Sequence, residues 1–285
     1  MLIFAVVAPI ATSSSATAEP KRARSRVGDT YQITMIRQTT QRSGDESSGN
    51  SYDKDTLIER VVGVRPDGLE LEYDLPRESQ DRSSNWQFPA RVFRPTHGTP
   101  QLLNRTELEA NLERWLKAAK WTRAVCGQWI FTWSAFQIEC DPQSVVKDIE
   151  AFDLTSTEVR DGAPYRDPDA RGPATLVSRV APTGGASFAA EMEVDADAVR
   201  RGRAESDVVV GNILQKPITL EAALLERTKQ EVSGTISIRF DTDTSGNVIR
   251  RTKVTKLITK PASGPSELVT TTETLERRLI ARRRR

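Results

Sequence analysis

The stretch LIERVVGVRPDGLELEYDL, residues 57–75, decides the fold class of this chain. Its centre, Arg65–Gly68, is a turn sequence because proline fixes one backbone dihedral angle and glycine accepts a positive φ. In the arm that follows, Leu69–Leu75, apolar residues alternate with acidic ones. This alternation is typical of a strand with one buried and one wet face. The stretch therefore predicts an antiparallel β-hairpin.

The same strand pattern returns in both halves of the chain. Further strands are predicted at 29–40, 85–94, 174–180, 187–194, 235–240, 248–258 and 267–279. Asn104, followed three residues later by Glu107, resembles a capping box, and this pattern predicts a helix that extends to about Lys120. Helices are also predicted after Asp141 and over 195–210, while 218–231 fits either a helix or a strand. We expect an α+β fold, mainly antiparallel β, in which long strands form a curved half-barrel or open barrel with two or three helices.

The stretch CGQWIFTWSAFQIEC contains both cysteines of the chain, Cys126 and Cys140. A disulfide requires Cα atoms within about 7 Å, whereas fourteen residue steps span roughly 48 Å as a strand. If the two cysteines pair, the segment must fold back near its midpoint, Trp133–Ser134. A hairpin with Cys126 opposite Cys140 is favoured over a helix, although the tip lacks a turn residue and the aromatic spacing also fits a helix.

The first residues predict export to an oxidising compartment, which makes a disulfide plausible. Leu2–Ala11 (LIFAVVAPIA) is a short apolar run followed by Ala16–Ala18, an A-x-A cleavage sequence. This run is too short to span a bilayer, and cleavage is expected after Ala18. We therefore expect a periplasmic or secreted protein whose mature chain has no transmembrane segment.

Composition indicates a soluble globular chain, with 37% hydrophobic residues and a net charge of +2 from 41 basic and 39 acidic residues. Basic residues are concentrated at both ends, while 154–172 is polar and rich in Asp, Gly and Pro. That polar stretch is the best boundary between lobes. The predicted domains are a signal peptide (1–18), an N-terminal β-rich lobe with two helices and the Cys126–Cys140 hairpin (27–154), a C-terminal α+β lobe (172–279) and a basic tail (280–285).

Two resemblances rest on these strands. The export signal, the long alternating strands and SGTISIRFDTDTSGNVIRR (Ser233–Arg251) resemble exported bacterial β-rich proteins of unknown function. The same segment is similar to the strand–turn–strand of TonB-type C-terminal domains, over fewer than twenty residues. Neither resemblance implies a catalytic residue or a ligand.

No residue pattern nominates a catalytic, cofactor or metal site. His97 is the only histidine, and no G-x-S-x-G sequence accompanies it. Asp241–Asn247 resembles the front of a calcium loop, but Thr252 stands where a bidentate Glu is needed, so we expect a polar hairpin turn. No cofactor is expected.

All five tryptophans lie within a segment of under fifty residues. Such clustering favours a core over a ligand site, since aromatic residues dominate burial. If the segment binds a ligand, Trp86, Trp129 and Trp133 are the candidate ligand-facing residues.

The function expected from these observations is that of an exported cell-envelope binding or accessory protein without catalytic activity, holding an apolar ligand or a partner protein. The alternative is an envelope hydrolase or glycan-binding module that uses the Trp-rich face and carboxylates such as Glu139 and Asp141. An anionic surface could be bound through the terminal arginines, and no nucleic acid is expected. These arginines are Arg277, Arg278, Arg282, Arg283, Arg284 and Arg285.

Overall fold

The computed structural model describes residues 25–79, 85–131, 135–155, 157, 159–180 and 185–282. The strands in these residues are β1 (Thr30–Ser43), β2 (Ser48–Arg65), β3 (Gly68–Asp74), β4 (Ala90–Pro95), β5 (Gln101–Leu102), β6 (Trp129–Phe131), β7 (Ala135–Gln137), β8 (Pro164–Tyr165), β9 (Ala174–Thr175), β10 (Val177–Arg179), β11 (Ser187–Glu193), β12 (Glu231–Thr242), β13 (Val248–Lys260) and β14 (Glu267–Ala281). The helices are α1 (Arg105–Ala118), α2 (Ser144–Ala151), α3 (Ala196–Ile213) and α4 (Leu220–Arg227), with a short 3-10 turn at Arg123–Val125.

Ten strands form one antiparallel sheet in the order β10-β11-β12-β13-β14-β1-β2-β3-β4-β5. Because β10 and β5 are separate edges, the sheet is open and does not close into a barrel. The predicted class, α+β with mainly antiparallel strands, is confirmed. The hairpin predicted at residues 57–75 is the β2–β3 pair.

The described residues contain four α-helices where two or three were predicted. The additional helix is α4, within the segment 218–231 that fitted both patterns. The Thr219 side chain accepts a hydrogen bond from the Ala222 amide at 3.2 Å and so caps this helix. Helix-forming residues and a cap therefore outweighed the apolar alternation in this segment.

The hydrophobic core lies on one face of the sheet. On β1 and β2 its members are alternate residues such as Ile33, Met35 and Leu57, and α1 contributes Leu108 and Leu112 to the same cluster. The remaining large buried residues of the cluster are Val61, Leu71, Tyr73, Trp86, Val92, Leu116, Val145, Val146, Ile149, Leu154, Leu176, Met192, Val194, Ile236, Ile238, Phe240, Val248 and Leu275. The cluster is continuous from the strands near the start of the chain to those near its end.

Helices α3 and α4 are attached to the same face as the core. On α3, Val199 packs against the hydrophobic cluster and Arg203 pairs with Glu267 of β14 at 3.2 Å. Glu267 has the same strand parity as the buried Leu275, so it belongs to the core face. Helix α4 is held to α3 by the ion pair between Arg227 and Asp207.

The polar stretch 154–172 lies against the core face of the C-terminal strands. The Tyr165 ring contacts the Phe240 ring edge-on, with 5.4 Å between centroids. Asp167 is buried and accepts a hydrogen bond at 2.8 Å from Lys253, which also pairs with Asp169 at 2.9 Å. Burial lowers the pKa of the Lys253 ammonium, but the two aspartates outweigh this effect and raise it. The division of the chain into two lobes at this stretch stays a prediction.

The Cys126–Cys140 segment is a hairpin closed by a disulfide. The two sulfurs are bonded at 2.01 Å and the Cα atoms are 5.6 Å apart. Strands β6 and β7 pair with Trp129 opposite Gln137, the register predicted from the cysteines. The tip, 132–134, lies outside the described residues.

We expect removal of this disulfide to lower the free energy of unfolding by about 3 kcal/mol, because the 15-residue closed loop restricts the unfolded chain. Urea unfolding of the Cys126→Ser/Cys140→Ser variant, compared with the oxidised protein, measures the difference. Peptide mapping without reductant should recover Cys126 linked to Cys140, and two alkylatable thiols in the native protein would contradict the pairing.

Candidate functional site

The face of the sheet opposite the core is not covered by the helices that pack on the core. Because side chains alternate along a strand, the neighbours of the core residues on β13, β14, β1 and β2 all point to this opposite face. We call these residues the threonine face: Thr252, Val254, Lys256, Ile258, Leu268, Thr270, Thr272, Thr274, Ile36, Gln38, Thr40, Arg42, Ser48, Asn50, Tyr52 and Lys54. Each of them is half-buried or exposed.

A groove of about 710 Å³ lies on the same side of the sheet, at its other end. Its floor comes from β1, β2 and β3, and its walls come from residues 75–78 and from the end of β14. We call it the β1–β3 groove, and its lining residues are Thr30, Gln32, Thr56, Ile58, Arg60, Glu72, Asp74, Leu75, Pro76, Arg77, Glu78, Ile280 and Ala281. The groove exists only because β14 pairs with β1, which brings the end of the chain beside its beginning.

The groove combines apolar and ionic surfaces. Ile58 is half-buried in the floor, Leu75 packs partly against the core, and Ile280 is 48% exposed at the opposite wall. Arg60 donates a hydrogen bond to Glu72 across the β2–β3 pair, with 3.1 Å between Nη1 and Oε1. A ligand in this groove would therefore meet aliphatic side chains from both walls, the charged pair of the floor strands, and the charged residues Arg77 and Glu78.

On the core face, a buried carboxylate joins several strands. Glu59 is 2% exposed at its side chain and accepts hydrogen bonds from the Tyr73 hydroxyl at 2.9 Å and from Arg277 Nη2 at 2.6 Å. Arg94 Nη1 lies 3.8 Å from the Glu59 carboxylate and 3.4 Å from that of Asp153. We call these five residues the Glu59 network.

The protonation states in the Glu59 network follow from burial and charge. Burial, together with the negative charge of Glu59, raises the pKa of the Tyr73 hydroxyl well above its usual value, so it stays a hydrogen-bond donor. Burial lowers the pKa of Arg94, but Tyr73, Glu59 and Asp153 outweigh this effect and raise it. Each charged group has an oppositely charged partner, which is the arrangement of a structural cross-link between β2, β3, β4 and β14.

The placement of Arg277 in this network corrects one prediction. Arg277 was expected to lie in a basic surface at the end of the chain, but its side chain is only 12% exposed. Its guanidinium carbon lies 3.3 Å from the centroid of the Tyr31 ring. Because β14 continues to Ala281, Arg277 points to the core face by strand parity and is not available to an external anionic surface.

The three candidate ligand-facing tryptophans are in different environments. Trp86 is 7% exposed and belongs to the hydrophobic core, where its carbonyl oxygen accepts a hydrogen bond from Asn111. Trp129 on β6 is 38% exposed. Trp133 lies outside the described residues. Of these three, Trp129 has the accessible ring that contact with a ligand requires, and its role stays a prediction.

The candidate carboxylates and the calcium-like loop are engaged in local structure. Glu139 accepts hydrogen bonds from the amides of Cys140 and Asp141 at 2.7 and 2.8 Å. Asp243 accepts hydrogen bonds from the amides of Ser245 and Asn247 in the β12–β13 turn. Among the described residues, no group of three or more His, Cys, Asp or Glu side chains is arranged to hold a metal ion.

No family model matches the chain, and no curated protein matches it. Solved structures give distant similarities. Lipovitellin, in a structure of its lipid–protein interactions, aligns with 91% of this chain at 8% identity and a TM-score of 0.41, and this chain spans about a quarter (26%) of it. Neisserial surface protein A aligns with 88% of this chain and 97% of its own length, at 5% identity and a TM-score of 0.22. An outer membrane channel from Pseudomonas putida F1 aligns with 94% of this chain and all (100%) of its own, at 8% identity and a TM-score of 0.21. These similarities do not show a family.

No helix in the part of the chain that the structure describes is long and apolar enough to cross a membrane.

Proposed function

We propose that this chain is a non-enzymatic binding or accessory protein of the cell envelope that holds a small amphipathic ligand in the β1–β3 groove. The observation that carries the proposal is the groove itself, a depression of about 710 Å³ that has aliphatic side chains in both walls and the Arg60–Glu72 pair in its floor. Small-molecule pockets usually measure about 300–1,000 Å³. The groove is within that range, and its lining mixes aliphatic with polar and charged side chains, as an amphipathic ligand requires.

The apolar part of the ligand would lie between the two walls. Leu75 and Pro76 form one wall, and Ile280 and Ala281 form the other, with Ile58 below them. An aliphatic or aromatic group placed there removes the exposed part of Ile280 from water, which is the main favourable contribution to such binding.

The polar part of the ligand would lie near Arg60 and Glu72. Glu72 already accepts a hydrogen bond from Arg60, and Asp74 accepts one from the Leu75 amide at 2.8 Å. Carboxylates that already accept hydrogen bonds from the protein are better suited to orienting a ligand than to exchanging a proton with it. This arrangement supports the binding function over the hydrolase alternative.

The disulfide supports the proposed export, because structural disulfides persist mainly in oxidising compartments. In the proposed mature protein, the exposed Arg278 replaces Arg277 as a residue that would contact an anionic surface. Arg282 is 58% exposed, but it also pairs with the buried Asp29 at 3.6 Å. Arg283, Arg284 and Arg285 lie outside the described residues, and their part in such contact stays a prediction.

Ile58→Glu is expected to abolish retention of a ligand by the protein purified from its own host, because a carboxylate would replace the aliphatic side chain of the floor that contacts the apolar part of the ligand. Native mass spectrometry measures the retained mass. The same spectrum gives the mass of the chain, which begins at Glu19 if cleavage follows Ala18.

The matched control is Val254→Glu, which places the same charge at another half-buried β-branched residue of the same sheet face, outside the groove. The control should retain the ligand. Loss of the ligand from both variants, or from neither, would exclude the β1–β3 groove as its site.

A further inference from the structure

The threonine face carries cations that no carboxylate in the described part of the chain neutralises. Arg42 on β1, Lys54 on β2 and Lys256 on β13 are all exposed, and no ion pair joins any of them to another described residue. None of the residues of the threonine face is acidic. The acidic residues nearby on the same side of the sheet are Glu276 of β14, which pairs with Arg250 at 3.0 Å, Glu231 of β12, which pairs with Lys260 at 3.5 Å, and Glu191 and Glu193 at the β11 edge. The face therefore has a net positive charge although the chain as a whole is close to neutral.

The spacing of these cations fits a long ligand better than a single ion. Neighbouring strands are about 4.8 Å apart, and residues on the same face of one strand repeat about every 6.8 Å. With the observed register, the backbone positions of Arg42 and Lys256 are therefore about 12 Å apart, and that of Lys54 is about 20 Å from both. No compact anion can contact three charges at these distances. A polymer that carries several negative charges along its length can contact all of them.

The side chains between the cations are hydrogen-bonding groups. Thr40, Thr270 and Thr272 lie between Arg42 and Lys256 or directly beside them, and Gln38 and Asn50 continue the row toward Lys54. Hydroxyl and amide groups both donate and accept hydrogen bonds, which matches the hydroxyl groups of sugars. Tyr52, 58% exposed, supplies a ring on which a sugar face can stack.

The shape of the sheet distinguishes a polymer from a planar membrane. Adjacent strands rotate by roughly 20–25°, so the four strands of the threonine face turn through about 60–75°. A planar array of lipid headgroups would touch only part of such a surface, whereas a flexible chain can follow the twist. We propose that the threonine face binds an acidic polysaccharide, with Arg42, Lys54 and Lys256 contacting its negative charges and Tyr52 stacking on a sugar ring.

The test is the binding of the full protein to a polyuronate, to neutral dextran and to vesicles containing anionic phospholipid. The proposal expects binding to the polyuronate that weakens with added salt, and little binding to dextran. Reversing the three charges in Arg42→Glu/Lys54→Glu/Lys256→Glu should weaken polyuronate binding at least about tenfold. Because all three side chains are exposed, this variant should keep the melting temperature of the wild type.

The control variant reverses three exposed lysines on the helices and their connections, Lys117→Glu/Lys147→Glu/Lys216→Glu. This variant lowers the net charge by the same amount as the first triple variant. Because its three lysines lie outside the threonine face, it should still bind the polyuronate as the wild type does. Tyr52→Ala should weaken binding further than Tyr52→Phe, which keeps the ring. The proposal would be overturned if both triple variants lost polyuronate binding equally. It would also be overturned if the three cations were needed for binding to the vesicles but not for binding to the polyuronate.

Discussion

Glu59→Gln is expected to lower the free energy of unfolding by about 3–5 kcal/mol, the cost of leaving buried charges without their partner. Glutamine keeps the shape of the side chain but removes its charge. Arg277, whose shortest contact with Glu59 is 2.6 Å, would then be a buried cation with no carboxylate in hydrogen-bond contact. Arg94 would keep only Asp153, at 3.4 Å. Urea unfolding at neutral pH, followed by circular dichroism, measures the change.

The matched control is Glu72→Gln on the neighbouring strand. Glu72 also pairs with an arginine, Arg60, at 3.1 Å, but the two side chains are 26% and 51% exposed. Ion pairs that water reaches contribute about 0–1 kcal/mol, so this variant should change stability little. In the double variant Glu59→Leu/Arg277→Met, which removes both charges, most of the lost stability should return. If Glu59→Gln costs no more than Glu72→Gln, the Glu59 network is not a structural cross-link.

The β2–β3 hairpin and three of the four described α-helices could be predicted from the sequence because their signals are local. The alternation over Leu69–Leu75 and the turn Arg65–Gly68 lie within nineteen residues, and the β2–β3 hairpin follows from them. The disulfide also follows from local facts, since the chain has two cysteines and an apparent export signal. Local patterns of this kind predict an α+β fold class with mainly antiparallel strands.

The order of the strands could not be predicted in the same way. The sheet is continuous because β14 pairs with β1, for example Glu276 with Thr34, and no local pattern records a contact between the two ends of a chain. Both candidate surfaces depend on that pairing. Ile280 reaches the β1–β3 groove, and Lys256 lies near Arg42, only because β14 and β13 follow β1 in the sheet.

One part of the Glu59 network did have a local signal. Glu59 stands between Leu57 and Val61 at a position that strand parity assigns to the core, and a charged residue at such a position requires a buried partner. The partner, Arg277, is 218 residues away, so its identity is known only from the folded chain. The arginine-rich end of the sequence suggested a solvated tail, and the need to pair Glu59 explains why Arg277 is inside.

The tryptophans show why closeness in sequence does not imply a shared site. Trp86 and Trp129 are separated by α1 and the segments around it, and they differ in exposure, 7% against 38%. The sequence interpretation of the cluster as core holds for Trp86, while Trp129 is at the surface of the disulfide hairpin. Of these two tryptophans, the large cost of truncating a core residue is therefore expected for Trp86.

Trp86→Ala is accordingly expected to lower the free energy of unfolding by about 3–5 kcal/mol, because it removes a large side chain from a packed core and leaves a cavity. Trp129→Ala, the same change at an exposed ring, should cost far less, and calorimetric melting of the two variants measures the difference. A Trp129→Ala protein that melts with the wild type but no longer binds a neutral glycan would support the alternative glycan-binding function of the Trp-rich segment. If instead Trp129→Ala proves as costly as Trp86→Ala, the Trp129 ring is part of the core, and its exposure in the hairpin cannot be taken as a binding surface.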